Sequence, residues 1–238
     1  MQYRSISLED GTVEALKWLA LVLMTLDHIN KYLLHGSDPV LFAVGRLALP
    51  LFSFVLAYNL ARPSSIANAG QVFPRTLARL GGTAAAATVP FVALGGLVGG
   101  WWPLNVLAML CVATAIMYLL VQGGFWCKTA AVTLFCLGGA VVEFWWPALA
   151  MCLAAWYYCR RPSWVAATAW VASVFALTLI GWAVAGMPVL NAGMWGLLLF
   201  PLIFAAQHVS LTAPRLKWFF YAYFPGHLAA LWAIAHAH

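Results

Sequence analysis

The sequence predicts an all-α protein, a polytopic transmembrane helical bundle of about nine spans. Three observations carry that expectation. Charged residues make up 8% of the 238-residue chain and hydrophobic residues 65%, whereas a water-facing surface draws on roughly a quarter charged residues. Apolar runs close to the roughly 20 residues that cross a bilayer core recur from end to end. Short segments between them hold most of the Lys and Arg and are punctuated by Gly and Pro. With a mean hydropathy of +0.91, no length is left for a separate soluble domain. Residues 1–14, polar and mixed in charge, read as a short cytoplasmic N-terminal segment, and residues 15–238 as one integral membrane unit. The segment before the first apolar run lacks a basic stretch followed by a cleavage site, so that run reads as a retained span.

The helices follow from the apolar runs and their breakers. The first is expected at Ala15–Leu34, the second at Val40–Ala61, the third at Thr76–Leu97 and the fourth at Pro103–Val121. The fifth, Lys128–Val142, and sixth, Trp145–Cys159, are short and read equally as one interrupted hairpin. The seventh spans Trp164–Ala185, the eighth Val189–Ala206 and the ninth Lys217–Ala235. Linkers such as Gly95–Pro103 and Gly186–Pro188 are brief; Gly95 and Gly99 have GxxxG spacing, read as a loop or a close packing contact.

Orientation follows from where the cations fall. Arg62, Arg75 and Arg79 come after the second helix, Lys128 after the fourth, Arg160 and Arg161 after the sixth, Arg215 and Lys217 around the turn after the eighth. The loops after helices three, five and seven hold no Lys or Arg. Positive loops stay in the cytoplasm, which puts the N-terminus inside and His236 and His238 outside; Lys31 is the exception. The net charge of +6 is scattered over these loops rather than gathered on one face, so nucleic acid is not an expected partner. Cys111, Cys127, Cys136, Cys152 and Cys159 lack paired metal-ligand spacing and read as small apolar residues, with no metal expected.

An ionisable side chain at mid-membrane costs about 2.5–3.5 kcal/mol on insertion scales, so each such residue needs a partner or a task. In the first helix Asp27, His28, Asn30 and Lys31 share an arc of about 160°. In the second, Arg46 shares a face with Ser53. His28 lies six residues before the outer end of its helix and Arg46 six after the outer start of the next, which puts them at similar depth. Asn105 opens the fourth helix, Glu143 occupies the turn between the fifth and sixth, and His227 follows Pro225 in the last. Plainer readings exist for each: Asp27 and Arg46 as a packing ion pair, Asn105 and Glu143 as wetted interface groups, His227 as a donor to carbonyls freed by Pro225. Adjacent helical residues diverge, so Asp27 is placed to reach Arg46 on the neighbouring helix rather than His28.

These residues fall in segments that resemble a known family. The string LMTLDHINKYL (23–33) resembles the opening motif of the TraX family, GRLALPLFSFVLAYNLAR (45–62) its second motif, and FFYAYFPGHLAAL (219–231) its Tyr/Phe-Pro-x-His-Leu signature. Together they cover about a fifth of the chain, and Asn105 and Glu143 fall where members carry an Asn and an acidic residue. The family is named for the protein that acetylates the N-terminus of conjugative F-type pilin, and it resembles a wider group of membrane acyltransferases. The resemblance implies acetyl transfer from acetyl-CoA to an amine or hydroxyl acceptor, pilin or another cell-envelope molecule, at the bacterial inner membrane. It implies no metal.

Such a transfer needs a base for the acceptor and a positive group at the developing oxyanion. His28 fits the first role and Arg46 the second, with Asp27 holding Arg46 and His227 a second candidate base. Asn30, Ser53, Asn105 and Glu143 are candidates for binding the acceptor. Arg62, Arg75 and Arg79, on the cytoplasmic side, are candidates for the CoA phosphates, although they also serve as the topology signal. The competing expectations are a proton-coupled transporter or permease using Asp27, His28 and His227 as a relay, and a structural partner of a secretion or conjugation machine.

Overall fold

The computed structural model describes residues 5–96, 98–185 and 194–237. All helices and the single 3-10 segment follow one another without a strand among these residues. The linker at Gly186–Pro188, the start of the eighth expected helix at Val189, Leu97 and His238 lie outside them.

The chain begins with α1 (Asp10–Tyr32). The single helix expected at Val40–Ala61 is two pieces, α2 (Pro39–Gly45) and α3 (Ala48–Ala61), separated by a turn at Arg46 and Leu47. Pro50 explains the break. It has no N–H to return to the Arg46 carbonyl, and its ring crowds that carbonyl. Asp38 opens α2, its carboxylate accepting from the Val40 and Leu41 amides. After the short α4 (Pro63–Ala67), α5 (Ala69–Ala93) starts two turns before the expected Thr76 and tolerates Pro74 and Pro90 inside it. Next come α6 (Val106–Gln122), α7 (Gly124–Val141) and α8 (Trp145–Arg160). The bounds of α9 (Trp164–Ala185) and of the last helix, α11 (Lys217–Ala235), are those expected. Between them a 3-10 segment, Met194–Leu198, leads into α10 (Leu199–Ala206).

α8 packs between α3 and α9, α6 between α5 and α7, and α11 lies along α5 and touches α1. The core they enclose is built from Phe54, Met109, Leu149, Met151 and Trp156, with Phe54 stacked on Trp170 at 5.6 Å. Gly138 and Gly139 let α7 approach its neighbours. A methyl at Gly138 would stand 2.7 Å from Val112 Cγ1, and one at Gly139 would overlap Trp146. Gly95 and Gly99 fall in a loop, where Gly95, Gly96 and Gly100 take positive φ. Two stretches, Pro39–Ala61 and Gly124–Val141, are long and apolar enough to cross a membrane; Val106–Gln122, Trp164–Ile180 and Met194–Ala206 are apolar but shorter. The outer face of α7 exposes Phe125, Trp126, Val132 and Leu137.

Candidate functional site

A cavity of about 390 Å³ opens among α1, α2, α3, α9 and the turn before α8. His28, Asp27, Lys31, Arg46 and Glu143 all line it. The polar arc of α1 therefore faces inward, as burial cost requires.

Arg46 Nη2 donates to both oxygens of Asp27, at 2.7 and 2.9 Å. The approach depends on Gly45, because any Cβ there would overlap the Asp27 side chain. The Arg46 guanidinium also lies 4.4 Å from the centre of the Phe42 ring, a cation–π arrangement that holds its plane. Its Nε is buried and has no hydrogen-bond partner among the described residues. A buried, unsatisfied N–H of a cation is expensive, and it makes this group a ready donor to an anionic or carbonyl oxygen. The break at Arg46 and Leu47 is what presents the side chain at this place.

His28 and His227, which the sequence offers as rival bases, are in contact. His28 Nδ1 lies 2.6 Å from His227 Nε2, with the two rings nearly parallel. His227 Nδ1 in turn lies 3.0 Å from the Tyr223 carbonyl oxygen. This is not the carbonyl that Pro225 frees, which belongs to Tyr221 one turn up the helix. Beside the pair, Tyr223 and Thr25 hydroxyls are 2.7 Å apart, tying α11 to α1. His28 lines the cavity and His227 does not.

Lys31, the exception to the charge pattern, lines the cavity, and its Nζ donates to the Gly96 carbonyl of the loop after α5 at 3.3 Å. Glu143 is buried and held by its backbone, whose N–H donates to Leu104 O at 2.8 Å. The next residues, Phe144 and Trp145, both take positive φ, a strained geometry for residues with a Cβ.

The other expected contributors are placed differently. Asn30 lines the cavity but spends its amide on the Asp38 backbone, in both directions. Asn105 is outside it. Its oxygen caps α6 at Leu107 and Ala108, and its nitrogen donates to Ala84 O and Thr88 Oγ1 of α5. Ser53 is buried, its hydroxyl has no partner among the described residues, and it does not line the cavity. Arg62 is tied to Asp10 at 2.6 Å. Arg75 and Arg79 instead line a second, more open groove with Thr83 and Trp218, the Arg79 guanidinium 5.4 Å from the Trp218 ring centre. In the sequence Trp218 carries no signal of this groove, because an aromatic beside a basic turn reads as an interface anchor.

The model of the family described as "TraX protein" matches residues 12–235. The chain belongs to the TraX family. This TraX-family chain is 45% identical over 56 residues to "Protein TraX" of Escherichia coli (strain K12). That stretch covers 24% of this chain and 22% of the relative. No solved structure matches this TraX-family chain.

Proposed function

We propose that this TraX-family protein is a membrane-embedded acetyltransferase that moves an acetyl group from acetyl-CoA to an amine or hydroxyl acceptor. One observation carries the reading: a base, His28, and a cation with an unsatisfied buried N–H, Arg46, face one cavity. The acceptor attacks the thioester carbonyl carbon while its proton passes to His28. The carbonyl oxygen, gaining charge, is met by Arg46. The C–S bond then breaks, the proton moves on to the thiolate, and the products are the acetylated acceptor and free CoA thiol. Asp27 fixes the Arg46 guanidinium, and Glu143 and Lys31, which line the same cavity, are the candidates to contact the acceptor.

The donor is assigned to the groove of Arg75 and Arg79, with Trp218 as the stacking face for its base. Two cations one helical turn apart suit a pyrophosphate. Arg62, neutralised by Asp10, is left to topology. The protein sits in the bacterial inner membrane in about nine spans with its N-terminus in the cytoplasm. The apolar, outward-facing residues of α7 support lipid contact, since a water-exposed patch of that kind is unfavourable. A conjugative pilin N-terminus is the acceptor that the family resemblance suggests.

The test is acetyl transfer by the purified protein from acetyl-CoA to amine and hydroxyl acceptors, read by mass spectrometry. His28→Ala is expected to keep donor binding and lose about 10²–10⁴-fold in turnover. Wild-type protein without transfer activity, but passing a solute with protons in proteoliposomes, would replace the reading with a transporter.

A further inference from the structure

The imidazole pair has a direction. A carbonyl oxygen only accepts, so the 3.0 Å contact between His227 Nδ1 and Tyr223 O requires a proton on that nitrogen. A neutral His227 then has only a lone pair on Nε2. The 2.6 Å contact with His28 Nδ1 is consequently filled by the proton of His28. A neutral His28 protonated at Nδ1 has a bare Nε2, the nitrogen left for the cavity that this ring lines. From the acetyltransferase reading of that cavity, and resting on it, we infer that His227 is a positioning residue: it fixes His28 in the tautomer whose Nε2 takes the acceptor's proton.

The surroundings suit that task. Tyr223 stacks on the His227 ring at 5.1 Å and 11°, while Phe224 meets both imidazoles edge-on. Tyr32 closes the other side of His28. Rotation of either ring is opposed by these contacts. The Thr25 hydroxyl donates to Leu21 O at 2.8 Å, so the Tyr223 hydroxyl is the donor in their 2.7 Å contact. That bond fixes the register of α11 against α1 one turn from the pair. When His28 gains the acceptor's proton, the His227 lone pair facing Nδ1 also stabilises the imidazolium. An isolated imidazole in water has neither restraint, and its neutral form populates both tautomers.

Two measurements on the full chain in nanodiscs test the inference. Nitrogen-15 histidine spectra, with the His28 signals assigned by their loss in His28→Gln, are expected to show protonated Nδ1 and bare Nε2 in the wild type. His227→Leu is expected to shift that signal toward the other tautomer and to lower kcat about 10²-fold, with KM for acetyl-CoA unchanged. His227→Gln, whose amide oxygen reaches the place of Nε2, is expected to restore the tautomer and most of the turnover, while the shorter His227→Asn does not. A wild-type His28 protonated at Nε2 would overturn the inference, and so would a Gln variant no better than Leu in tautomer and turnover. The wild-type spectrum needs no variant to fold and no acetyl transfer to occur. Failure of the acetyltransferase reading with the tautomer intact is therefore distinct from failure of this inference.

Discussion

Asp27 and Arg46 are each affordable only in the presence of the other. Removing one leaves a charge facing a largely apolar cavity, while removing both leaves two neutral groups of similar size. Asp27→Asn is expected to destabilise the protein by about 3 kcal/mol, read as a lower midpoint of thermal unfolding in detergent. Asp27→Asn combined with Arg46→Gln is expected to recover much of that loss without recovering turnover. Such a result separates the pair's structural worth from the chemistry of the guanidinium. At this scale the sequence was informative where cost forces a partner: an acid on one helix and a base at equal depth on the next had few other ways to be satisfied. It was uninformative about His28 and His227, because no spacing rule relates residues 199 positions apart. Two histidines in separate helices look like alternatives until the helices are packed.

Among the elements, the instructive difference is the interruption between α2 and α3. The continuous apolar run from Val40 to Ala61 hides it, but Pro50 four residues beyond Arg46 marks it. Apolarity reports burial, whereas a proline reports which carbonyl goes unbonded, and here the second signal locates the site. Asn105 teaches the opposite lesson. A polar residue at a helix start is more simply a cap: two of its four hydrogen bonds close the first turn of α6 and the other two join it to α5. Asn105→Ala is expected to cost about 1–2 kcal/mol in stability from loss of the cap, with KM for the acceptor unaltered; a raised acceptor KM in a protein of normal stability would return Asn105 to the binding site. On α5 itself, Arg75→Gln and Arg79→Gln are expected to weaken acetyl-CoA binding and flatten its salt dependence in a titration, since exposed charge attraction is screened by ions. Arg62→Gln is expected to leave donor affinity unchanged.

Across the whole molecule, Arg75 and Arg79 lie within α5 and Lys128 within α7 rather than in loops, so the expected alternation of basic segments is carried partly by helix ends. If α1 starts in the cytoplasm, an odd number of crossings puts the end of α11 on the far side. A reporter that is active only in the cytoplasm, fused after His238, is expected to stay silent; activity would change the parity of the crossings. Helix positions were legible because an apolar run bounded by Gly and Pro is a local signal. The placement of α11 beside α1 was not, since it depends on long-range contacts. Residues 207–216 fasten it: Thr12 Oγ1 donates to Val209 O at 2.9 Å, Trp18 Nε1 to Pro214 O at 3.0 Å, and Ser210 bonds Glu9. Gly11 admits this strap, since a methyl there would overlap the Leu211 carbonyl.

The strap and the helix after it also order events in time. Arg46 follows Asp27 by 19 residues, whereas His227 follows His28 by 199. At about 5–20 residues per second of synthesis, the ion pair has both members within roughly one to four seconds, and the imidazole pair waits roughly ten to forty. During that interval a growing chain has both members of the Asp27–Arg46 pair but not the partner of His28. On the acetyltransferase reading, a ribosome stalled between Arg46 and α11 is expected to leave a product whose ion pair is complete and whose His28 still lacks its partner, and so without transfer activity.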